Sequence, residues 1–304
     1  MKTILVLATA FLATLSLGCA EDSKPKESTK SLIIAKGAKL TLVSDGYKFT
    51  EGPAADAAGD VYFTDQPNDR IVKWSPGKNP EVFMKTCGRA NGLFFDNDGH
   101  LLACADENNE LWRINIATKE KNILLGKYDN KRFNGPNDVW VTPEGGLYFT
   151  DPFYKRPYWK HEEREQDGQH VYYLAPNTKK PVRVANDLTQ PNGIVGHPKT
   201  KDLYIADIGA KKTYRYQRQD DGRLTNKTLL MDQGSDGMTL DQRGNIYITG
   251  KGVTVFNTIG EQIEQIPVPE GWTANVCFGG KERKTLFVTA MDSVYTLDMT
   301  VAGW

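Results

Sequence analysis

The sequence predicts an all-β chain folded as a six-bladed β-propeller, and two observations predict it. One unit recurs six times: a short apolar strand, a turn carrying Gly or charge, then a strand rich in aromatic and β-branched residues. No stretch longer than a few residues carries an apolar stripe of helical period. The 304 residues are 39% apolar and 25% charged, which is a globular composition.

The units follow one another along the chain. They are EGPAADAAGDVYFTD from Glu51, NGLFFDNDGHLLACA from Asn91, NDVWVTPEGGLYFTD from Asn137, NGIVGHPKTKDLYIAD from Asn192, DGMTLDQRGNIYITG from Asp236 and NVCFGGKERKTLFVTA from Asn275. Their starts are 40, 46, 55, 44 and 39 residues apart. Further strand-like pieces come after them, such as RIVKW from Arg70, ELWRI from Glu110, HVYYL from His170 and KTYRY from Lys212. Four short strands per repeat, six times over, make a propeller. A strand near Lys39 to Val43 is expected to pair with the last blade and close the ring.

Ahead of the propeller, residues 1–20 read as a secretory signal: Lys2, then an apolar run from Ile4 to Leu17 that is short for a membrane span. Ser16-Leu17-Gly18-Cys19 resembles a lipoprotein box with an atypical Ser16, so lipidation of Cys19 and free release after cleavage both stay open. Residues 21–30 form a polar tether and residues 31–304 the propeller. The expected location is outside the cytoplasm of a bacterium, periplasmic or membrane-anchored, with contact to a membrane only through Cys19. Cys87, Cys104 and Cys277 remain, an odd number without a CxxC pair, so neither a disulfide nor a structural zinc site is predicted.

Lys plus Arg and Asp plus Glu both total 38, giving a formal charge of zero. That balance excludes nucleic acid as the main partner, because phosphate binding needs a basic footprint. No GxSxG elbow, P-loop or helix-opening GxGxxG occurs, which excludes a serine-hydrolase elbow and nucleotide chemistry. The four histidines lie apart, and His100 and His197 fall in turns.

Register supplies the candidate site. The innermost strand of a blade begins at the central channel. The six first residues, Glu51, Asn91, Asn137, Asn192, Asp236 and Asn275, each stand five residues before their strand's end, at Asp56, Asp96, Thr142, His197, Asp241 and Gly280. All six carry a side-chain oxygen, and by symmetry all point at the axis. Several oxygens with two carboxylates suit a hard divalent cation, Ca²⁺ first, with Mg²⁺, Zn²⁺ or Mn²⁺ as alternatives. Without one, Glu51 and Asp236 would repel each other. The competing reading is turn chemistry, since Asn-Gly and Asp-Gly mark turns. Glu51 resists that reading, because Glu is not a favoured turn residue. The aspartates that end second strands, Asp65, Asp151 and Asp207, read as structural.

The motifs FTEGP (Phe49–Pro53), RANGL (Arg89–Leu93), RFNGPNDVWV (Arg132–Val141), GLYFTDPFY (Gly146–Tyr154), QPNGI (Gln190–Ile194), SDGMTLD (Ser235–Asp241) and NVCFGG (Asn275–Gly280) extend over nearly all of the chain from about Leu40. In this order they resemble the gluconolactonase, senescence-marker-protein and luciferin-regenerating-enzyme-like family. The resemblance implies a six-bladed propeller with one catalytic divalent metal, held here by Glu51, Asn137, Asn192 and Asp236. It implies hydrolysis of lactones, or of organophosphates as in related members. It also implies that Arg132 and Asn134 contact substrate.

From these residues the expected chemistry is metal-assisted opening of a lactone, a small-molecule substrate, with Asp236 as general base or as direct nucleophile. Asn91 and Asn275 are expected behind the ligands or on bridging water. The long spacing between Asn137 and Asn192 places extra residues after Asp151. They should overhang the axial site with Phe153, Tyr158 and Trp159 as pocket walls; a solvated surface loop is the alternative. The competing function class is a non-catalytic binding propeller with a structural ion. Oligomeric state is not legible.

Overall fold

A computed structural model describes Met1 and residues 32–304. The signal-like run, Cys19 and the polar tether lie outside the described residues. Six four-stranded antiparallel sheets form the blades, five of them in simple up-and-down order. Their innermost strands are Thr50–Ala55, Ala90–Phe95, Val139–Val141, Pro191–Gly196, Met238–Leu240 and Thr273–Gly279. The sixth blade takes its outermost strand, Thr41–Ser44, from the other end of the chain, against Ser293–Asp298. Among the described residues the helical elements are two three-residue 3₁₀ turns, Gln66–Asn68 and Asp106–Asn108.

Each blade forms because its second strand is buried on both faces. VYFTD, LYFTD and IYITG, for example, are buried at every position. Apolar side chains from neighbouring blades interdigitate between the sheets, as Phe63 does with Phe287 and Tyr247 with Phe278. Burial of such aromatics supplies the main driving force for stacking blade on blade.

Polar side chains set the hairpin ends. At the far end of five of the six innermost strands a side chain caps the turn; the sixth position is Gly280. Asp56 accepts from the amides of Ala58 and Asp60, Asp96 from Asp98 and His100, and Asp241 from Arg243 and Asn245. Thr142 takes that role in blade three and His197 in blade four. At the channel end, the second-strand aspartates clamp the segment that leads into the first strand. Asp65 accepts from Lys48 and Phe49, Asp151 from Asn134 and Gly135, and Asp207 from Thr189 and Gln190. These carboxylates are structural, as their recurrence predicts. Cys87, Cys104 and Cys277 are free thiols.

Candidate active site

The six predicted axial residues sit where the innermost strands depart from regular pairing. In blades two and four the ladder breaks at Asn91-Gly92 and at Asn192-Gly193, leaving these residues in bulges, and in blade one it breaks just after Glu51, which pairs with Thr64. In blades three and five Asn137 and Asp236 come just before the strand begins. A bulge turns backbone and side chain out of the sheet, here toward the channel.

The glycines after these residues have a specific task. A Cβ on Gly52 would stand 2.2 Å from the Asn91 carbonyl oxygen, and one on Gly92 2.5 Å from that of Asn137. One on Gly193 would stand 2.8 Å from the carbonyl oxygen of Asp236, and one on Gly237 1.9 Å from the Asn275 side chain. The Asn-Gly and Asp-Gly pairs therefore serve close approach of adjacent blades rather than free turns. Direct hydrogen bonds join the ring: Gly92 N to Asn137 O at 2.8 Å, Thr64 Oγ1 to Asn91 O at 3.0 Å, Thr150 Oγ1 to Asn192 O at 2.7 Å, and Thr249 Oγ1 to Ala274 O at 2.8 Å. Blade six meets blade one through Asn275 Nδ2 and Glu51 Oε2 at 3.4 Å.

Glu51 is 2% exposed. Burial raises its carboxyl well above the usual range, and the charges of Asp236 and Asp138 push it further. Asp236 is raised by burial too, and held down by hydrogen bonds from Trp272 and Asn192 and by the charge of Arg156. Asn192 Nδ2 stands 2.8 Å from Asp236 Oδ1 and 2.6 Å from the Tyr154 hydroxyl, and Trp272 Nε1 stands 2.7 Å from Asp236 Oδ2. Asp138, next to Asn137, is buried, and burial pushes its carboxyl up to about 7, with the Asp236 charge adding to it against the amides of Ile194 and Val139. Its oxygens take the amides of Val139 and Ile194, so it ties blade three to blade four.

These residues fit a divalent cation. Two mutually repelling carboxylates share one channel. Among the described residues, the side-chain amides of Asn91 and Asn137 make no hydrogen bond, and Asn192 Oδ1 and Glu51 Oε1 accept none. Oxygens left without donors beside two repelling carboxylates have the chemistry of a hard-ion ligand set. Asn275 differs: its Oδ1 accepts from the Val276 amide and its Nδ2 donates to Glu51.

Asp96, Asp98 and His100 also bring ligand atoms within 4.8 Å of one another. They form the turn of blade two, away from the channel end of the strand. Arg113 already pairs with both carboxylates, and Asp96 caps the turn.

The structure does not join Arg132 or Asn134 to the axial group by any hydrogen bond or ion pair. Arg132 pairs with Glu165 at 3.1 Å and donates to the Glu163 carbonyl. Asn134 donates to the carbonyls of Asp151 and Gly168. Both hold the residue 152–169 insertion against blade three.

That insertion does reach the axis, through residues other than those expected. Tyr154 touches Asn192, and Arg156 lies over the Tyr154 ring at 4.8 Å. Tyr158 lines a cleft of about 530 Å³ with Phe49, Gln66, Arg89 and Arg156. Trp159 instead donates to the Asp106 carbonyl and stacks on His161. Asp106 is the latch: Arg156, Tyr158 and Gln66 all donate to its Oδ2. Sequence reasoning missed Asp138, Tyr154, Trp272 and Asp106. Only Asp138 gave a signal, since it replaces the glycine that follows the axial residue in four other blades.

Solved and curated proteins share this arrangement of chain. A gluconolactonase of Zymomonas mobilis is 26% identical over 284 residues, 84% of this chain and 80% of its own. The structure of a gluconolactonase from Xanthomonas campestris superposes with a TM-score of 0.81 at 27% identity, covering 86% of this chain and 90% of that one. A regucalcin from Agrobacterium tumefaciens shares the fold, with a TM-score of 0.73 at 19% identity over 88% of this chain and 96% of that one. The model of the SMP-30/gluconolactonase/LRE-like region matches residues 49–292, and the chain belongs to that family.

Proposed function

We propose that the protein is a divalent-metal-dependent hydrolase that opens a sugar lactone to its aldonic acid. The observation that carries this reading is the pair of mutually repelling carboxylates, buried Glu51 and half-buried Asp236, with donor-free amide oxygens near them. The similarity to gluconolactonases supports the substrate class. Glu51, Asn137, Asn192 and Asp236 are the proposed ligands, and Ca²⁺ suits their all-oxygen set best. Bound there, the cation would supply Lewis-acid polarisation of the lactone carbonyl.

The chain's own groups do the rest. Asp236 takes a proton from the attacking water as its oxygen bonds to the carbonyl carbon. The ring C–O bond then breaks, and the proton passes to the leaving alkoxide, giving a hydroxy acid. Trp272 Nε1 and Asn192 Nδ2 fix the plane of the Asp236 carboxylate for that transfer. Asn91 and Asn275 support the ligands. Arg132 and Asn134 serve substrate by holding the insertion that roofs the cleft.

The test is turnover of glucono-1,5-lactone and a lactone panel by metal-stripped protein, with Ca²⁺, Mg²⁺, Zn²⁺ or Mn²⁺ restored, beside Asp236→Asn. Metal-dependent turnover lost by about 10³-fold or more in the variant is the expected result, because Asp236 is both ligand and base. A metal-induced rise in melting temperature with no turnover of any lactone would leave a binding propeller with a structural ion.

A further inference from the structure

The cleft lined by Phe49, Gln66, Arg89, Arg156 and Tyr158 holds two guanidinium groups. Arg156 donates through Nε to Asp106 at 2.8 Å, and among the described residues its two terminal nitrogens have no partner. They border the cleft, one tyrosine ring away from Asn192. The fork is held rigidly, because Asp106 is itself fixed by Gln66 at 3.2 Å and by the Tyr158 hydroxyl. Arg89 supplies a second guanidinium. It lies over the Tyr158 ring at 4.8 Å, pairs with Glu107 and donates to the Pro67 carbonyl, and among the described residues its Nη2 has no partner. Phe49, Tyr158 and Pro157 give the same cleft apolar walls.

We propose that this cleft is a subsite for an anionic substituent on the lactone, a carboxylate, sulfonate or phosphate ester, seated by Arg156 and Arg89. The inference rests on the lactone-hydrolase reading and names its substrate class. A planar fork with two free donors matches an oxyanion in bidentate fashion, which a neutral hydroxyl cannot do. The fork is ordered before substrate arrives, so little entropy is lost on binding. Arg156 thus sets specificity, and Asp106 is its positioning residue.

Metal-loaded full-length protein is assayed with glucono-1,5-lactone and with the same ring carrying a 6-phosphate or a 6-carboxylate. The corresponding open-chain acids are titrated calorimetrically as probes of binding alone. The anionic lactones are expected to be preferred in kcat/KM by about tenfold or more, the scale of one charge-assisted bidentate contact. Arg156→Gln should erase that preference and Arg89→Gln should narrow it. The second variant leaves the Asp106 latch intact, so it reports even where the first fails to fold. Arg156→Lys, which keeps charge and loses the fork, should recover only part of the preference. Equal turnover of charged and neutral lactones by wild type, or a preference untouched by either variant, overturns the subsite while the lactonase reading stands. No turnover of any lactone, with anion binding that is still selective and dependent on Arg89 and Arg156, overturns the lactonase reading while the subsite stands. Absence of both overturns the subsite as well.

Discussion

In the proposed mechanism, Trp272 decides how much of Asp236 is available as a base. Its indole nitrogen donates to Asp236 Oδ2 at 2.7 Å, while the ring itself is 36% exposed. Trp272→Phe therefore removes one donor to a carboxylate without opening a core cavity. A hydrogen bond to a charged group is worth about 1.5–3 kcal/mol, so activity should fall roughly ten- to a hundredfold. The pH profile gives the sharper readout. That bond holds the Asp236 carboxyl down against burial, so losing it raises the pKa further. A general base works deprotonated, and its activity is lost as pH falls through its pKa. The acidic limb of kcat/KM should then move to higher pH in the variant. A limb that stays in place, with the same drop in rate, would mean that Trp272 contacts substrate rather than tuning the base.

At the scale of the strand, the residue beside each axial residue matters as much as the axial residue itself. Gly92 has ordinary backbone angles, so its need for glycine is purely steric: an added Cβ meets the Asn137 carbonyl at 2.5 Å and the Asp138 Cα at 2.9 Å. Gly271 also has ordinary angles and nothing within 4 Å. Gly92→Ala should destabilise by about 1–3 kcal/mol or more through forced separation of blades two and three. Gly271→Ala should be neutral or slightly stabilising through the unfolded chain. Denaturant midpoints of the two variants make the comparison, and metal affinity should fall only in Gly92→Ala, which displaces Asn137. Equal midpoints would mean that the blades are not spaced by backbone contact at the channel. This is also where sequence reading worked and where it stopped. Strands and axial residues were legible because blade symmetry repeats them in one register. Tyr154, Trp272 and Asp106 lie in connections unique to one blade, where no repeat flags them and only three-dimensional proximity joins them. Arg132 and Asn134 lie in a recognisable motif and bind Glu165, Asp151 and Gly168, while Arg132 Nε and Asn134 Oδ1 keep no partner among the described residues.

For the whole molecule, the question is what keeps a ring of six sheets closed. The first and last blades meet at the channel through Asn275 and Glu51, at the opposite end through Gly280 N and Gly59 O at 2.9 Å, and through Thr50 with Met291 and Ser293. Blade six also owes its fourth strand to Thr41–Ser44, paired as Thr41 with Thr296, Leu42 with Tyr295 and Ser44 with Val294. Upstream of it, Ile34 bridges to Met299 and Ile33 is buried in the core of that blade. Removing residues 1–31 leaves all of these contacts in place. Removing residues 1–44 exposes the edge of Ser293–Asp298 and uncovers apolar side chains such as Leu297 and Met299, a template for pairing with another chain. The first truncation should melt like the full chain. The second should melt lower and scatter light in proportion to its concentration. Bound metal should raise its midpoint by less than in the intact chain, because Glu51 hangs on the blade whose junction has been weakened. Should both truncations melt alike and stay monomeric, the junction of blades six and one would close the ring by itself, and the N-terminal strand would be cover rather than clasp.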